Sequence, residues 1–383
     1  MPHPVLAFCP YLPLNNVVEI ATWRIGPVAA FEDRWADPAF KGRAEAFLTK
    51  FVDPHGKPIK QPALVGPREG PIDGRLYTDE EIQALQAALD FGFLDANPRA
   101  TDESRRNAWA TVTADNTELF LWPIDVEQGY VTVTRGAMVT THGGGFRIDD
   151  AELQIRSPVE LHLPLGTSAA DTERLEAIYN VCLGSLRTPG ASKEADRLRT
   201  AVRWLAKAWR NTTSIGPEDR VVFLKTAFEA LTGTSESWKS GSRLRKLFEG
   251  LKETSPDDAE LLLWSPAEKA THQYTYTKNN AQQTGQRTDL EEWFAAFGEA
   301  RNSIIHEGVV PALLYNQPGG SAYDGPFVTT AEFLLRAAIK ASLASLGYPN
   351  IWRSALWRII AASWEELQQA AGPAAEAAGN GQP

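Results

Sequence analysis

The feature that most limits what this chain can fold into is a change of hydrophobic period at Pro164. Upstream of it, from Asn16 to Leu163, β-branched and aromatic residues collect in short runs at 17–23, 108–113, 118–123, 130–134, 146–148 and 159–163. Runs of this length, separated by turn formers such as Gly143-Gly144-Gly145, predict the strands of a largely antiparallel sheet. Two helices are expected among them. One covers 43–51, with Phe47, Leu48 and Phe51 on one face. The other starts at Thr78, where Thr78-Asp79-Glu80-Glu81 has capping-box spacing ahead of Ile82, Leu85 and Leu89. Downstream of Pro164 the strand pattern stops, and apolar residues recur at i, i+3, i+4 and i+7. Helices are predicted over 168–186, 193–210, 217–231, 242–251, 288–306, 329–346 and 351–370, with a capping box at Thr329-Thr330-Ala331-Glu332. Each carries one apolar stripe, such as Leu198, Val202, Leu205 and Trp209, or Leu290, Trp293, Phe297, Ala300 and Ile304. Single stripes are buried by packing on one another, which makes a bundle. The fold class that follows is α+β: a mixed, largely antiparallel α+β domain over 1–165, then an all-α helical bundle over 166–371. The Ala/Gly/Pro tail over 372–383 has nothing large to bury and is expected to be disordered.

Charge narrows the partners. The net charge is −10, and by halves residues 1–190 carry 17 positive and 26 negative side chains while 191–383 carry 21 and 22. Global attraction to nucleic acid or an anionic membrane is therefore not encoded, and any nucleic-acid contact has to be local. The two cysteines, Cys9 and Cys182, cannot build a disulfide framework or a four-cysteine zinc site, which suits a reducing, cytoplasmic setting. The most apolar late stretch is interrupted by Arg336, Lys340, Gly347 and Pro349, so no membrane span is expected.

The commonest catalytic signatures are missing: there is no Walker A loop, dinucleotide glycine fingerprint, H-E-x-x-H or G-x-S-x-G elbow. His142-Gly143-Gly144-Gly145 reads as a hairpin turn, and the six histidines lack ligand spacing, so neither a metal nor a cofactor is expected. One segment concentrates chemistry. Arg301, Asn302 and His306 fall within one and a half turns near the end of the 288–306 helix. Asn302 and His306 are an i, i+4 pair, whereas at 100° per residue Arg301 points about 140° away from His306 and has to converge through its long stem. Arginine forks onto phosphate oxygens, histidine exchanges protons near neutral pH, and the asparagine amide can orient either. These are the parts of a metal-independent ribonuclease; the plainer reading is a surface arginine and a histidine favoured by a helix C-terminus.

Arg301-Asn302-(three residues)-His306 resembles the R-polar-xxx-H motif of the HEPN superfamily, whose members are helical bundles and often dimeric RNases. Within that superfamily the phrasing resembles the ApeA-like HEPN subset. Residues 301–308, RNSIIHEG, are similar to its motif helix, and 223–231, FLKTAFEAL, to its early helix; the similarity covers about residues 170–370. The resemblance implies a HEPN-type bundle and a homodimer with two motifs facing across a two-fold axis, each composite site having two arginines and two histidines. It also implies cleavage of RNA to a 2′,3′-cyclic phosphate and a free 5′-OH, with Arg301 and His306 catalytic and DNA inert. An antiphage or toxin-like role follows, with an antitoxin or other defence partner and 1–165 as a sensor or restraining domain. A non-catalytic HEPN module that only dimerises or binds a partner is the rival.

Other residues join this reading with a plainer alternative beside each. Glu229 on the early helix either orients Arg301 or His306 or is an exposed helical carboxylate. Arg243, Arg245 and Lys246, together with Arg203, Lys207 and Arg210, either track RNA phosphates or form solvated helix faces. The segment 274–280, with Tyr274, Tyr276, Lys278 and Asn279, is either a base-stacking loop or a polar surface loop. Trp209 and Trp293 lie on apolar stripes and are assigned to the core.

Overall fold

A computed structural model of the chain describes residues 5–12, 14, 16–60, 62–73, 76–96, 114–123, 130–133, 145–147, 154–156, 169–210, 215–251, 271–278, 281–308 and 326–348. The expected strands at 108–113 and 159–163, the His142-Gly143-Gly144 turn, the helix over 351–370 and the tail lie outside these residues. The fold is α+β, an antiparallel sheet with helices followed by a helical region. Two compact units divide it, one of Met1–Pro98 with Arg106–Ser214, the other of Arg99–Arg105 with Ile215–Pro383.

In the first unit β1 (Val5–Cys9) is flanked by β5 (Ala63–Pro67) and β6 (Phe120–Pro123). Outward from β5 lie β3 (Trp23–Pro27) and β2 (Val18–Ile20); outward from β6 lie β7 (Tyr130–Val133) and β8 (Gly145–Arg147). All six pairings of this seven-stranded sheet are antiparallel. The helix expected over 43–51 is α1 (Pro38–Leu48), starting earlier because Asp37 accepts a hydrogen bond from the Ala39 N–H at 2.8 Å. Phe51 is not helical: it belongs to β4 (Phe51–Val52), paired in parallel with β9 (Ile155–Arg156). Phe47 and Phe51 nevertheless meet, edge to face at 5.4 Å, and close with Phe8, Tyr11 and Phe120 into an aromatic core.

The helix predicted from Thr78 is α2 (Asp79–Ala96), where the Thr78 hydroxyl and the Glu81 carboxylate each accept the other's backbone N–H. On it pack α3 (Ala169–Arg187) and α4 (Lys193–Ala208). The units thus divide at Ser214/Ile215 and not at 165/166, because the apolar faces of α3 and α4 are spent on α2. Gly92 brings the α2 backbone so close to α3 that a Cβ there would lie 2.1 Å from Leu175 Cδ2, and Arg174 is buried in an ion pair with Asp95. Trp209 is in this unit's core, and both cysteines are buried thiols, Cys9 donating to the Thr117 carbonyl at 3.7 Å. Burial pushes the Cys182 thiol up to about 12.

The second unit contains α5 (Pro217–Thr232), α6 (Ser237–Leu251), α7 (Asp289–Asn302) and α8 (Pro326–Ser345). Thr329 is thus already inside α8, since Pro326 suits a first helical position. Gly233, with φ 65°, ends α5 in the left-handed conformation, where its N–H donates to the Glu229 carbonyl at 2.8 Å. The segment expected as a loop over 274–280 is largely strand. β10 (Thr271–Lys278) pairs with β11 (Ala281–Thr288) along all eight positions, because alternating Thr and Tyr favour a pleated ribbon even where no apolar alternation marks it. Asn279 and Asn280, which connect the strands, lie outside the described residues. No described helix is long and apolar enough to cross a membrane.

Candidate functional site

The motif helix is set at its first residue and by two glycines. Thr288, the last residue of β11, caps α7: its hydroxyl accepts from the Glu291 N–H at 3.3 Å, and the Glu291 carboxylate accepts from the Thr288 N–H at 2.9 Å. Leu290, Phe294, Phe297 and Ala300 are buried, with Phe228 of α5 edge-on to Phe294 at 4.8 Å. Trp293, expected in the core, is half-buried and stacks on Phe297 at 4.9 Å. Gly241 of α6 lies where a Cβ would come 2.9 Å from Glu291 Cα, and Gly298 of α7 where one would come 1.9 Å from Ser237 Oγ. Helices α6 and α7 therefore run antiparallel in close contact, with the start of α6 beside the motif end of α7.

Beyond Asn302 the helix widens. Ser303–Glu307 is a π-helical turn, closed by Gly308 at φ 65° with its N–H donating to the Ser303 carbonyl. This differs from the uniform α-helix expected to His306. A turn closed by i→i+5 bonds brings residues five apart nearer the same side, so Arg301 and His306 are offset by less than the α-helical angle. Arg301 is half-buried, and its Nη1 donates to Asn302 Oδ1 at 3.1 Å, while Asn302 and His306 are exposed. Among the described residues the buried Arg301 Nε has no hydrogen-bond partner. Ile305, next to His306, is a large apolar side chain left 44% exposed. This helix end can offer one phosphate-binding fork, one amide and one imidazole to a ligand approaching from solvent.

The remaining candidates divide. Glu229 is not joined to Arg301 or His306: its carboxylate accepts from Lys225 Nζ at 2.9 Å, and Lys225 is buried. An i, i+4 Lys–Glu pair is a signal that sequence alone offers for this role. On α6 the Arg243 guanidinium donates to the Thr232 carbonyl, Arg245 pairs with Glu249 at 3.1 Å, and Lys246 is exposed. All three follow Gly241, so they lie toward the N-terminal end of α7, the end away from the motif. Lys278 is the last residue of β10, opposite Ala281. Arg203 and Lys207 lie on α4 and Arg210 just beyond it, in the first unit, so they share no unit with the α6 cluster. Lys207 sits over the Trp204 ring at 4.2 Å, and burial and then Arg203 and Arg210 lower its pKa.

Trp238, one of the tryptophans of the helical half expected in the core or a dimer interface, is 40% exposed at the start of α6, and sequence reasoning passed over Arg287 of β11, which lies over the Tyr274 ring at 3.8 Å. Among the described residues no group of three or more His, Cys, Asp or Glu is placed to hold a metal ion. No family model, curated protein or solved structure matches this chain.

Proposed function

We propose that this chain is a metal-independent endoribonuclease of the HEPN type, acting in antiphage defence or a toxin-like role. The observation that supports it is the gathering of Arg301, Asn302 and His306 at the exposed, π-wound end of α7. In this reading one His306 takes the proton from the RNA 2′-OH. The oxygen attacks the adjacent phosphorus, and the 5′-oxygen leaves with a proton from the His306 of a second copy or from water. Arg301 meets the charge that builds on the phosphate, and Asn302, already bonded to Arg301, holds the guanidinium in place. The products are a 2′,3′-cyclic phosphate and a 5′-OH.

A second reading has its own support. The exposed Ile305 beside His306 suits a non-catalytic HEPN module whose helix end is a partner-binding or dimer surface. Incubating a mixed RNA pool, with EDTA present, with wild type and His306→Ala separates the two. Cyclic-phosphate ends made by wild type alone establish the nuclease. Intact RNA in both, with a dimer lost on Ile305→Asp, establishes the module.

A further inference from the structure

The β10–β11 ribbon is the part of the second unit that the nuclease reading does not absorb. Register and strand alternation sort its paired positions into two faces. One face consists only of Thr and Gln. The other takes the positions of His272, Tyr274, Tyr276 and Lys278 on β10 and of Ala281, Gln283, Gly285 and Arg287 on β11. Residues 271–288 include no Asp or Glu, in a chain whose net charge is −10. At the base of the aromatic and basic face the arrangement is built: the Tyr274 ring lies over Gly285, where a Cβ would come 2.7 Å from ring Cζ. Arg287 stacks on that ring at 3.8 Å and reaches Glu292 of α7 at 3.2 Å. Toward the tip, Ala281, Gln282, Gln283 and Thr284 are all exposed.

A two-stranded ribbon with no apolar face gains little from burial, so its tyrosines and flanking basic residues serve something outside the ribbon. Two successive tyrosine positions with basic residues at either end, on strands that carry no carboxylate, match a single nucleic-acid strand, in which bases stack and phosphates need neutralising. We propose that the aromatic and basic face of this ribbon binds single-stranded RNA and docks the substrate; this rests on the ribonuclease reading above. The ribbon enters the N-terminus of α7, and the motif ends it 14 residues later, about 21 Å away at 1.5 Å per residue. Exposed Arg243 and Lys246 lie on the part of α6 toward the ribbon end, where they extend the basic surface.

The test uses the full chain and a fluorescein-labelled, 2′-O-methyl, unstructured RNA of about 20 nucleotides, long enough to span both ends of α7. Without a 2′-OH it cannot be cut, so binding is read apart from catalysis. In fluorescence anisotropy, Tyr276→Ala/Lys278→Gln is expected to weaken binding roughly ten-fold and to lower the slope of log K against log salt by about one. Gln273→Ala/Gln286→Ala, on the opposite face, is expected to stay within about two-fold. If the first variant melts early, Lys278→Gln alone carries the test through the salt slope. Equal affinities for wild type and both double variants overturn the proposal, as does equal weakening by both. A halved sedimenting mass with unchanged RNA affinity in the first variant also overturns it, making the ribbon an edge for a second copy. Wild type that cleaves unmodified RNA but binds regardless of Tyr276 and Lys278 loses the ribbon and keeps the nuclease. Wild type that binds through them and never cleaves keeps the ribbon and loses the nuclease.

Discussion

In the sheet unit polar side chains go inside and are consumed there, whereas in the helical unit the motif's polar side chains gather at a helix end and face solvent. Asp90 of α2 is buried, accepting from the Thr117 hydroxyl at 2.5 Å and from the Gln86 amide at 2.9 Å. The same amide donates to the Thr117 carbonyl at 2.7 Å and accepts from the Leu119 N–H at 3.0 Å. These bonds tie the segment entering β6 to α2, and the buried Arg174–Asp95 pair ties α3 to it. The motif of α7 uses its side chains differently: Arg301 donates to its neighbour Asn302, and Asn302 and His306 are exposed. The difference teaches that a carboxylate or amide with its hydrogen bonds satisfied inside acts as a cross-link. An exposed cluster has its donors turned to whatever arrives.

The largest effect that bears on this contrast is on activity. His306→Ala is expected to lower the RNA cleavage rate by about 10²–10⁴-fold while leaving the melting temperature within about 2 °C of wild type, because an exposed side chain is removed. A loss of stability to match would place His306 among the cross-links and break the comparison. In the sheet unit the order reverses: Arg174→Met leaves Asp95 buried without its cation and is expected to cost about 3–5 kcal/mol in urea unfolding. A variant as stable as wild type would show that the buried pair is not holding α3.

Backbone contact gives a smaller test. Gly241→Ala puts a methyl 2.9 Å from Glu291 Cα, a backbone atom that cannot turn aside, and is expected to cost about 1–3 kcal/mol. On the same helix a Cβ at Gly250 meets nothing within 4 Å, so Gly250→Ala is expected to stabilise by about 0.5–1 kcal/mol. Thermal unfolding of the two variants in opposite directions confirms that α6 and α7 meet where the glycine is.

The smallest effect belongs to Asp196 in the sheet unit. The Ser185 hydroxyl, at 2.5 Å, and the Gly190 N–H, at 2.9 Å, hold its carboxyl below the ordinary range. A depressed folded pKa adds stability that is present above the unfolded value, near pH 4, and is lost as pH falls through the folded value. Asp196→Asn should therefore melt slightly lower than wild type at neutral pH, and the gap should close on acidification. A gap that is constant with pH would mean that the carboxylate charge does not matter there.

Much of this was legible in the letters, and the exceptions share a cause. The helices of the second half show their stripes because one face of each meets a core. β1 and β5 were passed over although they lie at the centre of the sheet: VLAFC and ALVGP are short apolar runs without alternation, and β5 is buried throughout. Phe51 was read as the end of a helix because Phe47 and Phe51 share a helical spacing, although they meet across a turn. The hairpin was read as a loop because both of its faces are polar. In the site, Arg301, Asn302 and His306 were named by spacing, while the role considered for Glu229 gave way to Lys225 on its own helix.

What the sequence determined by itself is local: helical periodicity after residue 164, the cap at Thr78, and the clustering of Arg301, Asn302 and His306 within a few residues. Each depends on spacing along a short segment, which the chain specifies without reference to the rest. Only the tertiary structure decided that α3 and α4 belong with the sheet, that α6 and α7 touch through Gly241 and Gly298, and that the motif helix ends in a π turn. The first two of these depend on which surfaces meet when distant segments pack, and close packing is a property of the pair rather than of either partner.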